Sequence, residues 1–236
     1  MTTVPALAVD IAGNLASVER RIADACAASG RDAAQVRLLP VSKTFPVSAI
    51  LTAVAAGYHR FGENRVQEVV AKTEELGPDA AVEFAVIGPL QSNKAGKLAA
   101  LAVEFQALDS LRIAAVLDRR LAALGRSLDV LVQMNSSGET TKSGVAPGDV
   151  IAFAEQLVDY PRLRPRGLMT LALPGPDVAA VGACFDRMRQ VQAGLRAAHV
   201  PGVWDELSMG MSGDFELAIA HGSTCVRIGS AIFGAR

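Results

Sequence analysis

The sequence predicts an α/β fold, a single (β/α)8 TIM barrel over residues 1–236 with an extra helix at its N-terminus. Three observations predict it. Eight short apolar or β-rich segments alternate with alanine-rich helical stretches within 236 residues, the rhythm and length of such a barrel. Several strand candidates, notably Val130-Leu131-Val132-Gln133-Met134, are apolar almost throughout, as a parallel sheet covered on both faces requires. No composition break or low-complexity linker marks a second domain. A doubly wound open sheet would satisfy the same alternation. It differs by a strand-order switch that a sequence does not display.

The extra helix is expected at residues 10–29, where Leu15, Val18, Ile22 and Cys26 recur at spacings of three and four and Gly30 supplies the stop. Strands are expected at 37–43, 59–63, 83–88, 104–108, 129–135, 164–171, 205–210 and 225–229. Helical segments fall at 47–56, 64–76, 92–101, 111–124, 147–159, 177–199 and 214–221.

Composition narrows the function classes. Half the residues are hydrophobic but only 5% are aromatic, which suits many close-packed helices against a buried sheet. A net charge of −1 gives no basic field to attract nucleic acid. No run approaches the roughly 18 apolar residues of a membrane span. The start, Met1-Thr2-Thr3-Val4-Pro5, lacks the basic and apolar regions of a signal peptide. Cys26, Cys184 and Cys225 are widely spaced and odd in number, so they match neither a disulfide framework nor a zinc site. The expected setting is reducing cytoplasm.

Lys43 closes the apolar run Leu38-Leu39-Pro40-Val41-Ser42 in a chain with five lysines against eighteen arginines. An ammonium at the end of a core strand is costly unless it is paired, loses its proton or reacts. A desolvated lysine amine is what Schiff-base formation with a carbonyl compound needs. On this segment alone a second reading stands, with the amine reaching solvent from the strand end.

In a barrel the active-site groups sit at the C-terminal ends of the strands. Those ends carry Lys43, Gly62-Glu63-Asn64, Gly88 to Lys94, Asp109-Ser110, Asn135, Met169-Thr170, Ser208 to Ser212, and Arg227 to Ser230. Two of them have the small residues that let backbone amides approach an anion at a helix start: Ser208-Met209-Gly210-Met211-Ser212-Gly213-Asp214 before a helix near Phe215, and Gly229-Ser230 after the eighth strand. Both follow strands seven and eight, where barrels often hold phosphate. Neither is a G-x-G-x-x-G or Walker sequence, and for each taken singly an ordinary capped turn is the first reading. Arg227 is a second charge inside an apolar strand, either in an ion pair across the barrel or directed at a ligand. As a permanent cation it donates hydrogen bonds to a ring nitrogen without giving up a proton.

Seven ordered segments resemble the pyridoxal-phosphate homeostasis protein family, which is related to the N-terminal barrel domain of bacterial alanine racemases. They are Val41-Ser42-Lys43-Thr44, Phe61 to Glu68, Ile87 to Lys94, Lys142-Ser143-Gly144, Arg166-Gly167-Leu168-Met169, Ser208 to Ser212, and Val226 to Gly234. The resemblance implies a barrel that binds pyridoxal 5′-phosphate (PLP) with Lys43 as the Schiff-base lysine. It implies Arg227 near the pyridine nitrogen, Ser212, Gly229 and Ser230 at the phosphate, and Asn64 near the cofactor. Two departures touch the expected rim: Ala85 stands where many relatives carry histidine, and Gly213-Asp214 where many carry Asp-Asp.

The same resemblance bears on turnover. Racemases of this kind add a β-domain whose tyrosine, in the partner subunit, moves one of the protons. The sequence ends at Arg236, so no such domain is expected. Tyr58 and Tyr160 fall in helical or pre-turn segments, and His59, His199 and His221 at the wrong strand end or at helix ends. The expectation is therefore a PLP carrier without significant turnover, a monomer, delivering PLP to apo-enzymes and binding neither nucleic acid, membrane nor metal. A small amino-acid racemase is the alternative. A second PLP site at Lys142, in the loop after the fifth strand, is a further expectation beside that of a solvated loop lysine.

Overall fold

The computed structural model describes residues 9–139, 143–173, 175 and 177–234. The eight expected strands occur in order: β1 Arg37–Pro40, β2 Arg60–Glu63, β3 Glu83–Val86, β4 Ala102–Leu108, β5 Leu128–Gln133, β6 Leu163–Met169, β7 Glu206–Ser208 and β8 Cys225–Ile228. All pairings are parallel, in the neighbour order β1-β8-β7-β6-β5-β4-β3-β2. The remaining seam, β1 to β2, closes where Val41 bridges Gly62 and the Ser42 N–H donates to the Gly62 carbonyl at 3.1 Å. The chain is a (β/α)8 barrel, and the strand-order switch of a doubly wound sheet is absent. That closure falls directly before Lys43.

The described helices are α1 Ile11–Ala28, α2 Val47–Ala55, α3 Val66–Leu76, α4 Ala95–Leu101, α5 Leu111–Ala123, α6 Val150–Glu155, α7 Val178–Ala197, α8 Phe215–Ala220 and α9 Ser230–Phe233. α1 begins at Asp10, whose carboxylate accepts from the Gly13 N–H at 2.9 Å. It buries the stripe Ile11, Leu15, Val18, Ile22 and Cys26. Burying each large aliphatic side chain is worth about 1.5–3 kcal/mol. The Asn14 amide donates to the Ile232 carbonyl at 2.9 Å, so α1 braces α9. Leu39 of β1, Ala85 of β3 and Cys225 of β8 form a small cluster apart from the main core, with Ile87 against it. Gly62 lies between β1 and β3, and a Cβ there would meet Leu39 at 3.4 Å and Ile87 at 3.5 Å.

The N-terminal end of the barrel is a network of ion pairs. Arg37 meets Glu104 at 3.1 Å and also pairs with Glu206. Arg60 meets Glu83 at 2.8 Å and Glu104 at 3.3 Å. Arg164 and Arg166 share Asp129 at 2.7 and 3.0 Å.

Several boundaries differ from expectation. The first strand ends at Pro40 rather than 43, because Ser42 and Phe45 close a turn (carbonyl to N–H, 3.0 Å) and Thr44 takes a left-handed φ of 68°. The expected helix at 92–101 opens with a 3₁₀ turn, Ser92–Lys94. That at 147–159 divides into a 3₁₀ turn at Pro147–Asp149, α6, and a second at Gln156–Asp159. α9 was not among the expected helices, since four residues are too few to show a period. None of the described helices is long and apolar enough to cross a membrane.

Candidate functional site

A cleft of about 710 Å³ opens at the C-terminal ends of the strands, within the ~300–1,000 Å³ range of small-molecule sites. All six residues singled out in the sequence line it: Lys43, Asn64, Ser212, Arg227, Gly229 and Ser230. They arrive from four separate strand ends, β1, β2, β7 and β8. Apolar walls come from Val41, Phe45, Ile87, Leu171, Ala172 and Met211.

Lys43 lies in the turn after β1, half-buried, rather than on the strand. The neighbouring Phe45 ring packs on Phe233 of α9, centroids 5.2 Å apart, joining this turn to the helix that carries Ser230. Asn64 follows β2. Its carbonyl and side chain sit so close to Gly88 that a Cβ there would lie 2.3 Å from the Asn64 carbonyl oxygen and 2.8 Å from its Oδ1. Glycine is the residue that permits this approach.

Arg227 is 3% exposed. It donates to Ser208 Oγ at 2.6 Å and to the Thr170 carbonyl at 2.7 Å. Of the two readings open in the sequence, the ion pair is not the one found: among the described residues no carboxylate pairs with it. Burial therefore lowers its pKa from the usual guanidinium value, with Cys225, Asp214 and Glu206 opposing that shift only in part. Ser208 Oγ in turn donates a hydrogen bond to Gln106 Oε1 at 2.7 Å, and the Gln106 amide donates to Glu104. A hydrogen-bonded line thus runs through the barrel from the cleft to the ion pairs at the opposite end. Gln106 was not singled out in the sequence. Its signal was an amide inside the apolar stretch Phe105-Gln106-Ala107.

Gly210 carries a φ of 97°, and a Cβ there would meet the Ala218 Cβ at 2.7 Å, so the chain turns sharply from β7 into Met211-Ser212. Ser212 Oγ accepts from the Ala231 N–H at 3.4 Å, joining the β7 loop to α9. Within α9 itself, the Ile232 and Phe233 N–H groups both donate to the Gly229 carbonyl at 2.9 Å. The hydroxyl-bearing Ser212 and Ser230 and the small Gly229 thus line the cleft together with Lys43, the buried Arg227 and apolar walls. That donor set fits PLP, a flat ring bearing a phosphate and an electrophilic aldehyde carbon.

The other sequence candidates lie elsewhere. The Tyr58 hydroxyl donates to Glu19 of α1, and burial, together with that contact, raises its pKa. His59 Nδ1 meets the Ala81 carbonyl at 2.9 Å, and His221 Nδ1 meets Asp186 at 2.8 Å. Neither Tyr160 nor His199 lines the cleft. Ala85 is fully buried with Leu39 and Cys225, so this departure alters barrel filling rather than the rim. Gly213 is exposed, with open space where a side chain would stand. Lys142 lies outside the described residues.

Residues 14–236 match the family described as Alanine racemase, N-terminal domain. The chain is 46% identical over 226 residues to the pyridoxal phosphate homeostasis protein of Pseudomonas aeruginosa, covering 96% of each chain. It is 46% identical over 233 residues to the protein of that name from Escherichia coli K12, covering 96% of this chain and 97% of the other. Among solved structures, PipY of Synechococcus elongatus with PLP bound superposes with a TM-score of 0.83 at 37% identity, covering 95% of this chain and all of that one.

Proposed function

This chain belongs to the pyridoxal phosphate homeostasis protein family, and we propose that it holds PLP in this cleft through Lys43 and releases it to apo-enzymes without turnover. When bound, PLP supplies an aldehyde carbon with which a lysine amine condenses, losing water, to form a Schiff base. The remaining roles belong to the chain's own residues. Lys43 provides that amine. Ser212, Gly229 and Ser230 receive the phosphate. Arg227 faces the pyridine nitrogen as a permanent cation that does not hand over its proton. Asn64 flanks the ring, and Phe45, Ile87 and Leu171 shield it from water. The protein works as a monomer in the cytoplasm.

One observation carries the reading. Among the described residues lining the cleft, Lys43 and Arg227 are the ionisable ones, and no tyrosine or histidine joins them. An amino-acid racemase needs a proton donor and an acceptor on opposite faces of its substrate. A described lining with a lysine and an arginine, and neither tyrosine nor histidine, suits holding and release.

The test mixes PLP-loaded protein with a PLP-dependent apo-enzyme and follows its reactivation, alongside an alanine racemisation assay. Reactivation without racemisation above background is expected. Racemisation at ordinary enzyme rates, lost in Lys43→Ala, would overturn the carrier reading.

A further inference from the structure

Beneath the cleft lies a buried charge cluster that the ligand-lining residues do not include. Glu63, at the end of β2, is fully buried, and Lys72 of α3 is 7% exposed. The Lys72 amine donates to Glu63 Oε1 at 2.5 Å and to the Ser42 carbonyl at 2.7 Å. The Ser42 hydroxyl donates to the same Glu63 oxygen at 2.6 Å. On the far side of Lys43, the Thr44 N–H donates to Glu68 Oε2 at 2.7 Å, and Glu68 lies 3.7 Å from Lys72. Both neighbours of Lys43 are therefore tied to β2 and α3 by charged groups.

Stability alone is a poor reason for such an arrangement. A buried ion pair gives up hydration that its attraction barely recovers, and apolar residues of similar volume often do as well or better. Here one carboxylate oxygen, Glu63 Oε2, is also buried without a hydrogen bond. What the cluster provides is direction. The turn it holds has a left-handed, non-glycine residue at Thr44, a conformation that persists where its surroundings enforce it.

We infer that Glu63, Lys72 and Glu68 form a clamp that positions the Ser42-Lys43-Thr44 turn, so that the Lys43 amine faces the cleft. These are positioning residues, acting through the backbone on either side of Lys43. The inference rests on Lys43 being the PLP-bearing lysine.

The test is the double variant Glu63→Leu/Lys72→Met, which removes both charges and fills the space. Three readings are taken on full-length protein: thermal unfolding without PLP, PLP affinity by titration, and the labelling rate of Lys43 by trinitrobenzenesulfonate, resolved by mass spectrometry. The clamp predicts a midpoint equal to or above wild type. It also predicts PLP affinity lower by roughly tenfold and Lys43 labelling shifted toward that of exposed Lys97. Unchanged affinity and labelling at unchanged stability would overturn it, because a purely structural pair leaves Lys43 as it was. Should wild type fail to bind PLP through Lys43, the proposed function falls, and the labelling of unloaded protein still decides the clamp. Should the double variant not fold, Glu68→Ala at its half-buried position takes its place, with a labelling shift in the same direction expected and an unchanged rate contradicting the clamp.

Discussion

The two ends of the barrel treat charge in opposite ways. At the N-terminal end Arg37, Arg60, Glu104 and Glu206 answer one another within a few ångströms. At the C-terminal end Arg227, more deeply buried than any of those arginines, is answered by a hydroxyl and a carbonyl oxygen. A neutralised arginine offers little to a ligand, whereas one held by neutral oxygens keeps its positive field and, of its five N–H donors, some to give. The same eight strands thus carry a stabilising end and a binding end, the division expected of this architecture.

Substitutions at the two ends should separate cleanly. Arg37→Met leaves Glu206 without its arginine and the Glu104 carboxylate, 5% exposed, with Arg60 alone, and should cost about 3 kcal/mol of stability, read by denaturant unfolding, with PLP affinity unchanged. A matching loss of affinity would mean that the ends are not separable. Arg227→Ala should do the reverse in kind, weakening PLP by about 2 kcal/mol or roughly thirtyfold in a titration. Wild-type affinity there would remove Arg227 from the site. Gln106→Leu cuts the line between the ends, and should lower stability by about 1 kcal/mol and affinity by less than Arg227→Ala does. An effect on PLP as large as that of Arg227→Ala would make the line, rather than the arginine, the important element.

An effect confined to alkaline pH concerns Cys225, inside the barrel between the two ends. Burial pushes its thiol up from 9.0 to about 12. The folded pKa is above the unfolded one, so the stability this thiol contributes is present below pH 9 and is lost as pH rises toward 12. Unfolding free energy should therefore fall less steeply above pH 9 in Cys225→Ala than in wild type. Parallel slopes would show that the thiol titrates alike in both states.

What was legible in the sequence differs between the same two ends. The eight strands and the cleft residues could be read because they carry local signals: apolar runs, and glycine, serine and lysine at the places where those runs stop. Lys43 was placed on a strand because Val41 and Ser42 are as apolar or small as the residues before them. The turn that moves it off the strand depends on Glu68 and Lys72, contributed by a helix more than twenty residues later. The ion pairs of the opposite end were illegible for a related reason. Arg37 and Glu206 are 169 positions apart and meet only when the barrel brings β1, β8 and β7 side by side. Gln106 and Lys72 show the same limit, since nothing in the flanking residues says that an amide or amine has a partner across a core. Ala85 shows the converse. A departure read as a change of rim is a change of core, because only the closed barrel shows which strand residues point inward.

PLP holding by this protein turns on Lys43. The most direct measurement incubates wild type and Lys43→Ala with PLP, reduces both with borohydride, and maps the attached pyridoxyl group by peptide mass spectrometry. The group is expected on the Lys43 peptide of wild type and is expected to be absent from the variant. Attachment at another lysine, or equal labelling of the variant, would contradict it.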